Sequence, residues 1–128
     1  ANALLTAEAG TNTLFCPMID ARRMEVYAAF YNKEGIIQRE ISADIIDENS
    51  YSAILENHSV YFFGNGAAKC MEEINHPNAH LIKDVVPLAK YMFPLAEKRI
   101  AQGKFDDVAY FVPFYLKDFV AKLPKKLL

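Results

Sequence analysis

Tryptophan is absent from this 128-residue chain, and cysteine is scarce, with only Cys16 and Cys70, far apart. A secreted disulfide scaffold carries more cysteine than that, so two reduced, buried thiols and a cytoplasmic location are expected. A reactive thiol needs a flanking cation, and Lys69 beside Cys70 is the one neighbour of that kind. No apolar run approaches the ~20 residues that span a bilayer, so no membrane association is expected. Neither sign of charge dominates: 14 basic and 16 acidic side chains give −2, which excludes a strongly basic body built to grip a nucleic-acid backbone unaided. The first ten residues contain no base, so no signal peptide is expected there. There is no internal repeat and no low-complexity segment.

What remains is an ordinary globular composition. Apolar residues make up 52 % and charged residues 23 %, which excludes disorder over most of the length and suits one domain with a real core. Residues Ala3 to Ala9 read as a helix stopped by Gly10. That helix has no N-cap, and the chain has no initiator Met, so a start inside a longer protein is expected.

Leu14 to Asp20 is a short apolar run ending in a carboxylate, and Pro17 within it favours an edge or a bulge. From Met24 to Tyr31 the pattern has period two. Met24, Val26, Ala28 and Phe30 share one face, with Glu25, Tyr27 and Tyr31 on the other, so this is a strand. Asn32-Lys33-Glu34-Gly35 reads as a hairpin turn, and Ile36 to Ala43 returns as a third strand with Ile37 and Ile41 on one face. The grammar then changes. Asp44, Asp47 and Glu48 gather where acids favour a helix N-terminus, and Tyr51, Ile54 and Leu55 follow at helical spacing. Ser59 to Phe63 is a continuous apolar strand, Gly64-Asn65-Gly66 turns the chain, and Ala67 to Ile74 reads as a helix. His80 to Ile82 is a short strand. Pro87 opens a helix running to Gly103, either kinked at Pro94 or split into two short helices. Ala109 to Leu116 is apolar and extended, and Lys122 to Leu128 reads as a frayed basic tail.

The order βββαβαβα gives a mixed five-stranded α/β sheet with helices on both faces. It is that of a ribonuclease-H-like half-domain, the unit used twice in actin and Hsp70 ATPases. Fold alone does not give function. A two-metal nuclease needs several converging carboxylates. Asp20 supplies one, but the fourth strand ends at Gly64-Asn65 without the second. Gly64, Asn65 and Gly66 lie between a strand and a helix, where backbone N–H groups could face a phosphate. The alternative is a tight turn that needs glycine for its backbone angles. His76 and His80 are four apart but separated by Pro77, which spoils a helical metal pair; His58 stands alone. No serine lies in a nucleophile elbow. Asp20, Arg22 and Arg23 sit where the first two strands meet, able to pair locally, bind an anion or meet a partner. Phe111, Phe114, Tyr115 and Phe119 crowd the C-terminal segment. They serve as core or, with Lys117 and Lys122, as a stacking platform for RNA.

Pro17 to Tyr27 (PMIDARRMEVY), Phe63-Gly64-Asn65-Gly66-Ala67 and Pro113 to Phe119 (PFYLKDF) together go beyond generic fold grammar. The chain from Leu14 to Val120 resembles the C-terminal half of the TsaB (YeaZ) family, bacterial proteins required for threonylcarbamoyladenosine in tRNA. The resemblance implies one C-terminal ribonuclease-H-like domain over residues 1–128, without the Asp-Thr-Ser strand that opens the family's N-terminal half. It implies a non-catalytic subunit with no cofactor, partnering a TsaD-type catalytic subunit and a TsaE-type ATPase and touching tRNA only indirectly; a homodimer is compatible with it. The old label of the family, glycoprotease or peptidase M22, finds no support, because the paired metal histidines of TsaD have no counterpart on a suitable helix. Asp20, Arg22, Arg23, Tyr115 and Lys117 are the candidate partner or anion contacts. Gly64, Asn65 and Gly66 form the candidate phosphate-facing turn. The alternative is a nucleotide-binding hydrolase of the actin-like superfamily; an RNA-binding module is a third reading.

Overall fold

A computed structural model describes residues 10–117. The expected helix over residues 3–9 and the basic tail lie outside the described residues, as do Asp118 and Phe119. Strands β1 (Thr13–Asp20), β2 (Glu25–Asn32) and β3 (Ile37–Ile45) come first. Helix α1 (Ser52–Leu55), strand β4 (Ser59–Phe63), helix α2 (Ala67–Cys70) and strand β5 (Ala79–Leu81) follow. A 3₁₀ turn over Ala89–Met92 leads into α3 (Phe93–Ala101). The sheet order is β3-β2-β1-β4-β5. β1–β2 and β2–β3 are antiparallel, and β1–β4 and β4–β5 are parallel. This is the mixed five-stranded sheet and element order read from the sequence, because hairpins join only antiparallel neighbours and helical crossovers join the parallel ones.

Alternation along the strands builds the core. Leu14, Cys16 and Met18 of β1, Val26, Ala28 and Phe30 of β2, and Val60 and Phe62 of β4 point to one face. Leu55 of α1 and Ala67 and Cys70 of α2 cover that face. The Tyr51 ring lies edge-on to Phe30 at 5.0 Å and stacks on Phe62 at 5.9 Å, closing one end of the core. On the opposite face Phe15 and Phe63 are buried, whereas Ile19, Ile37 and Ile41 are exposed.

Several expectations are corrected. Pro17 sits in the central strand, not at an edge. The β1–β2 ladder skips Cys16 and Pro17 and resumes in the same register at Met18↔Ala28, so the missing N–H is a local gap. Helix α2 stops at Cys70, and Ile74 reaches the core through a turn closed by its N–H to the Cys70 carbonyl at 2.9 Å. Pro94 falls in the first turn of α3, where its missing N–H has no helical partner to lose, so the two-helix alternative holds. Helices do not flank both faces among the described residues. Both α1 and α2 serve one face, while α3 leaves Phe93, Leu95 and Ile100 exposed. Residues 111–115 carry no regular structure.

The burial contrast is testable. Phe62→Ala removes a ring with no solvent exposure and is expected to cost about 3–5 kcal/mol in urea unfolding. Ile45→Ala, at a side chain 77 % exposed, is expected to stay within about 0.5 kcal/mol.

Candidate functional site

The residues singled out in the sequence converge on the corner where β1 turns into β2. Asp20 ends β1. Its carboxylate Oδ1 accepts the Arg22 backbone N–H at 2.9 Å, an Asx turn that starts the reversal. The Glu25 N–H closes the turn on the Arg22 carbonyl at 3.1 Å, and the Ala21 N–H donates to the Glu25 carbonyl at 3.1 Å. Arg22 and Arg23 both take left-handed backbone angles, with φ of +73° and +50°. Side chains other than glycine and Asx residues rarely adopt that region, so the reversal needs outside support.

Lys69 of α2 supplies it. Its ammonium donates to Asp20 Oδ1 at 2.6 Å, to the Glu25 carbonyl at 2.9 Å and to the Arg23 carbonyl. One cation thus pins three points of the hairpin tip through charge-assisted bonds. The Lys69 bond, then the Arg22 N–H, hold the Asp20 carboxyl below the usual carboxylate range. Sequence reasoning placed Lys69 only beside Cys70. The usable signal was its place three residues after the glycine turn, on a helix that parallel β1–β4 pairing carries over the end of β1.

The glycine turn meets the same strand end. Gly64 has φ +97°, and a Cβ there would lie 2.4 Å from the Met18 carbonyl oxygen. A Cβ on Gly66 would lie 2.9 Å from Val26 Cγ1 and 3.0 Å from the Asp20 nitrogen. The Gly66 N–H donates to the Met18 carbonyl at 3.2 Å, and Asn65 Oδ1 accepts the Asp20 N–H at 3.1 Å. The turn is therefore a close backbone-to-backbone seam, and at least one of its N–H groups is committed to β1.

Tyr115 and Lys117 reach the other side of the same hairpin. Lys117 Nζ donates to Glu25 Oε1 at 2.7 Å. Tyr115 and Phe114 border a hollow of about 280 Å³ over Ile19, Tyr27 and Ile41.

A second polar cluster was missed in the sequence. Asp44 takes a bidentate pair from Arg39 at 2.7 and 2.8 Å, with further bonds from Ser42 Oγ at 2.8 Å and the Tyr51 hydroxyl at 2.7 Å. Burial works to raise the Asp44 carboxyl, but the Arg39, Tyr51 and Ser42 donors outweigh it and hold it below its ordinary value. Burial first, and then the Asp44 carboxylate, push the Tyr51 hydroxyl up. Asp44 is thus no helix-capping acid. Asp47 plays the local role, with Oδ1 accepting the Asn49 N–H at 3.0 Å and the Ser50 hydroxyl at 2.9 Å. Two register shifts in the β2–β3 ladder place Arg39 opposite Phe30, on the core face, 5.6 Å from that ring and 5.5 Å from Tyr51.

The remaining candidates have structural partners. Cys16 and Cys70 are buried and free, and burial raises both thiols. The Cys70 thiol donates to the Gly66 carbonyl at 3.1 Å, while Lys69 is turned to the hairpin. His76 Nδ1 accepts the Asn78 N–H at 3.1 Å, and the His80 ring lies 5.0 Å from Tyr61. Among the described residues no three His, Cys, Asp or Glu side chains gather as metal ligands. No helix among them is long and apolar enough to cross a membrane.

No protein-family description matches the sequence, and no curated protein does. Solved structures do match. One is the crystal structure of an uncharacterized Pseudomonas aeruginosa protein with similarity to peptidase YeaZ, at a TM-score of 0.60 and 22 % identity. The likeness covers 86 % of this chain and 51 % of that one, so this chain spans about half the length of the protein it matches. At that identity the two share a fold, consistent with the ribonuclease-H-like half-domain read from the element order.

Two outcomes follow from the geometry. Gly64→Ala, which forces a Cβ against backbone, is expected to lose about 3 kcal/mol or more in chemical denaturation. Asp44 has a folded pKa below its unfolded one, so its contribution is present above the ordinary carboxyl range and is lost as pH falls below about 4. Asp44→Asn should lower Tm at pH 7 and flatten the acid limb of a Tm-against-pH curve.

Proposed function

We propose that this chain is the ribonuclease-H-like half of a non-catalytic TsaB-type subunit needed for threonylcarbamoyl transfer to a tRNA adenosine. Its partners in this reading are a TsaD-type catalytic subunit and a TsaE-type ATPase, acting through the whole protein to which the half belongs. The observation that carries the reading is the hairpin tip. The Pro17–Tyr27 stretch, which carries much of the family resemblance, turns through one pinned tip whose acid already holds Lys69. The fold shared with a protein similar to YeaZ supports the same reading. The chemistry available at this corner suits shape and charge presentation: Asp20 is neutralised, the glycine seam is packed against β1, and Arg22 and Arg23 are exposed.

A longer protein containing this chain is expected to capture a TsaD-type subunit with micromolar affinity. Calorimetry with ATP should show neither binding in that range nor turnover. Failure of both this chain and any longer protein containing it to capture the subunit would contradict the proposal. Micromolar ATP binding with hydrolysis would replace it with the actin-like hydrolase.

A further inference from the structure

We infer that the β1–β2 tip is the contact surface for an acidic, apolar-flanked segment of a partner protein, with Arg22 and Arg23 as the carboxylate-binding groups. This deepens the partner-subunit reading and rests on it for the partner's identity alone.

Four observations converge. Arg22 and Arg23 are consecutive, both left-handed and both exposed. Such strain persists only where surrounding bonds over-determine it, and here the Asp20 Asx turn and the three Lys69 contacts do so. The acids nearest the tip are already taken, Asp20 by Lys69 and Glu25 by Lys117, both in close ion pairs. Arg22 and Arg23 have no ion pair among the described residues, so two planar forks stand on a rigid turn with their charge unspent. Arginine forks in that state suit carboxylates bidentately. Finally, the same hairpin borders the hollow of about 280 Å³ over Ile19, Tyr27 and Ile41, and Ile19 is 57 % exposed. Tyr27 and Tyr115 line that hollow, and tyrosine and arginine are residue types enriched in binding hot spots.

The chemistry favours protein over nucleic acid. A phosphate backbone is gripped by many bases spread over a surface, whereas this chain carries a net −2 and the tip offers two cations without an ion pair among the described residues, on a hairpin whose Ile19 and Tyr27 line an apolar hollow. An apolar residue flanked by Glu or Asp satisfies both halves of the site.

The test is a ¹⁵N–¹H NMR titration of the full chain with a synthetic ten-residue peptide of alternating Glu and Leu. A second peptide carries Gln in place of Glu. Saturable shifts are expected at the Arg22 and Arg23 amides and Nε–H groups. Binding should weaken at least about tenfold with the Gln peptide or with the R22E/R23E variant, a change of about 1.4 kcal/mol. An unchanged spectrum over the core confirms that the variant is folded, and R22K/R23K should retain part of the affinity. Absence of shifts at the tip, or equal affinity in R22E/R23E, overturns the inference. So does tighter binding of an unmodified tRNA transcript that R22E/R23E abolishes, because it assigns the tip to phosphate. Capture of the TsaD-type subunit unaffected by R22E/R23E would remove the tip and leave the partner reading. Peptide binding without subunit capture would do the reverse.

Discussion

One ammonium group ties the two halves of this fold together where β1 turns into β2. Lys69 belongs to the α/β part of the chain, and its three acceptors belong to the first hairpin, 44 to 49 residues earlier. The side chain is only partly exposed, so the charge-assisted bonds act with limited competition from water. Without that cation Asp20 would keep an unpaired charge, and the carbonyls of Arg23 and Glu25 would depend on solvent. Two consecutive left-handed arginines would then have little to hold them.

The glycine seam makes this contact geometrically available. Because Gly64 and Gly66 carry no Cβ, the turn after β4 can press against Met18–Asp20, and α2 begins directly over the end of β1. Parallel pairing of β1 with β4 sets the same alignment from the sheet side. A turn requirement, a register and an ion pair thus agree on one placement, the kind of consistency across levels that specifies a structure. The Arg39–Asp44–Tyr51 cluster does comparable work at the far end of the core. There Arg39, packed near the Phe30 and Tyr51 rings, pairs bidentately with Asp44, and the Tyr51 hydroxyl bond to Asp44 joins β3 to the start of α1.

The strands were legible because period-two alternation is local. Met24 to Tyr31 could be sorted into two faces from residue types alone, and Val26, Ala28 and Phe30 of the first face are buried in the core, with Ala29 buried on the other. The corner was legible as a location: Asp20, Arg22, Arg23 and the glycine turn were singled out, and they meet. Its fastening was not, because nothing in local patterning says that Lys69 faces Asp20. Arg39 was hidden for another reason. A one-residue shift on either side of the Phe30↔Arg39 pair sets Arg39 on the opposite face from Ile37 and Ile41, and alternation cannot anticipate a bulge. Helix lengths were overestimated because apolar spacing from Ala67 to Ile74 fits a helix, yet a turn after Cys70 delivers Ile74 to the same core.

A rigid tip that presents two arginines is the central physical claim, and backbone ¹⁵N relaxation on the full chain tests it most directly. If Lys69 pins the hairpin, the order parameters of Arg22, Arg23 and Met24 should be about 0.85, like those of the flanking strands. Values below about 0.6 at those three residues, with β1 and β2 rigid on either side, would contradict it.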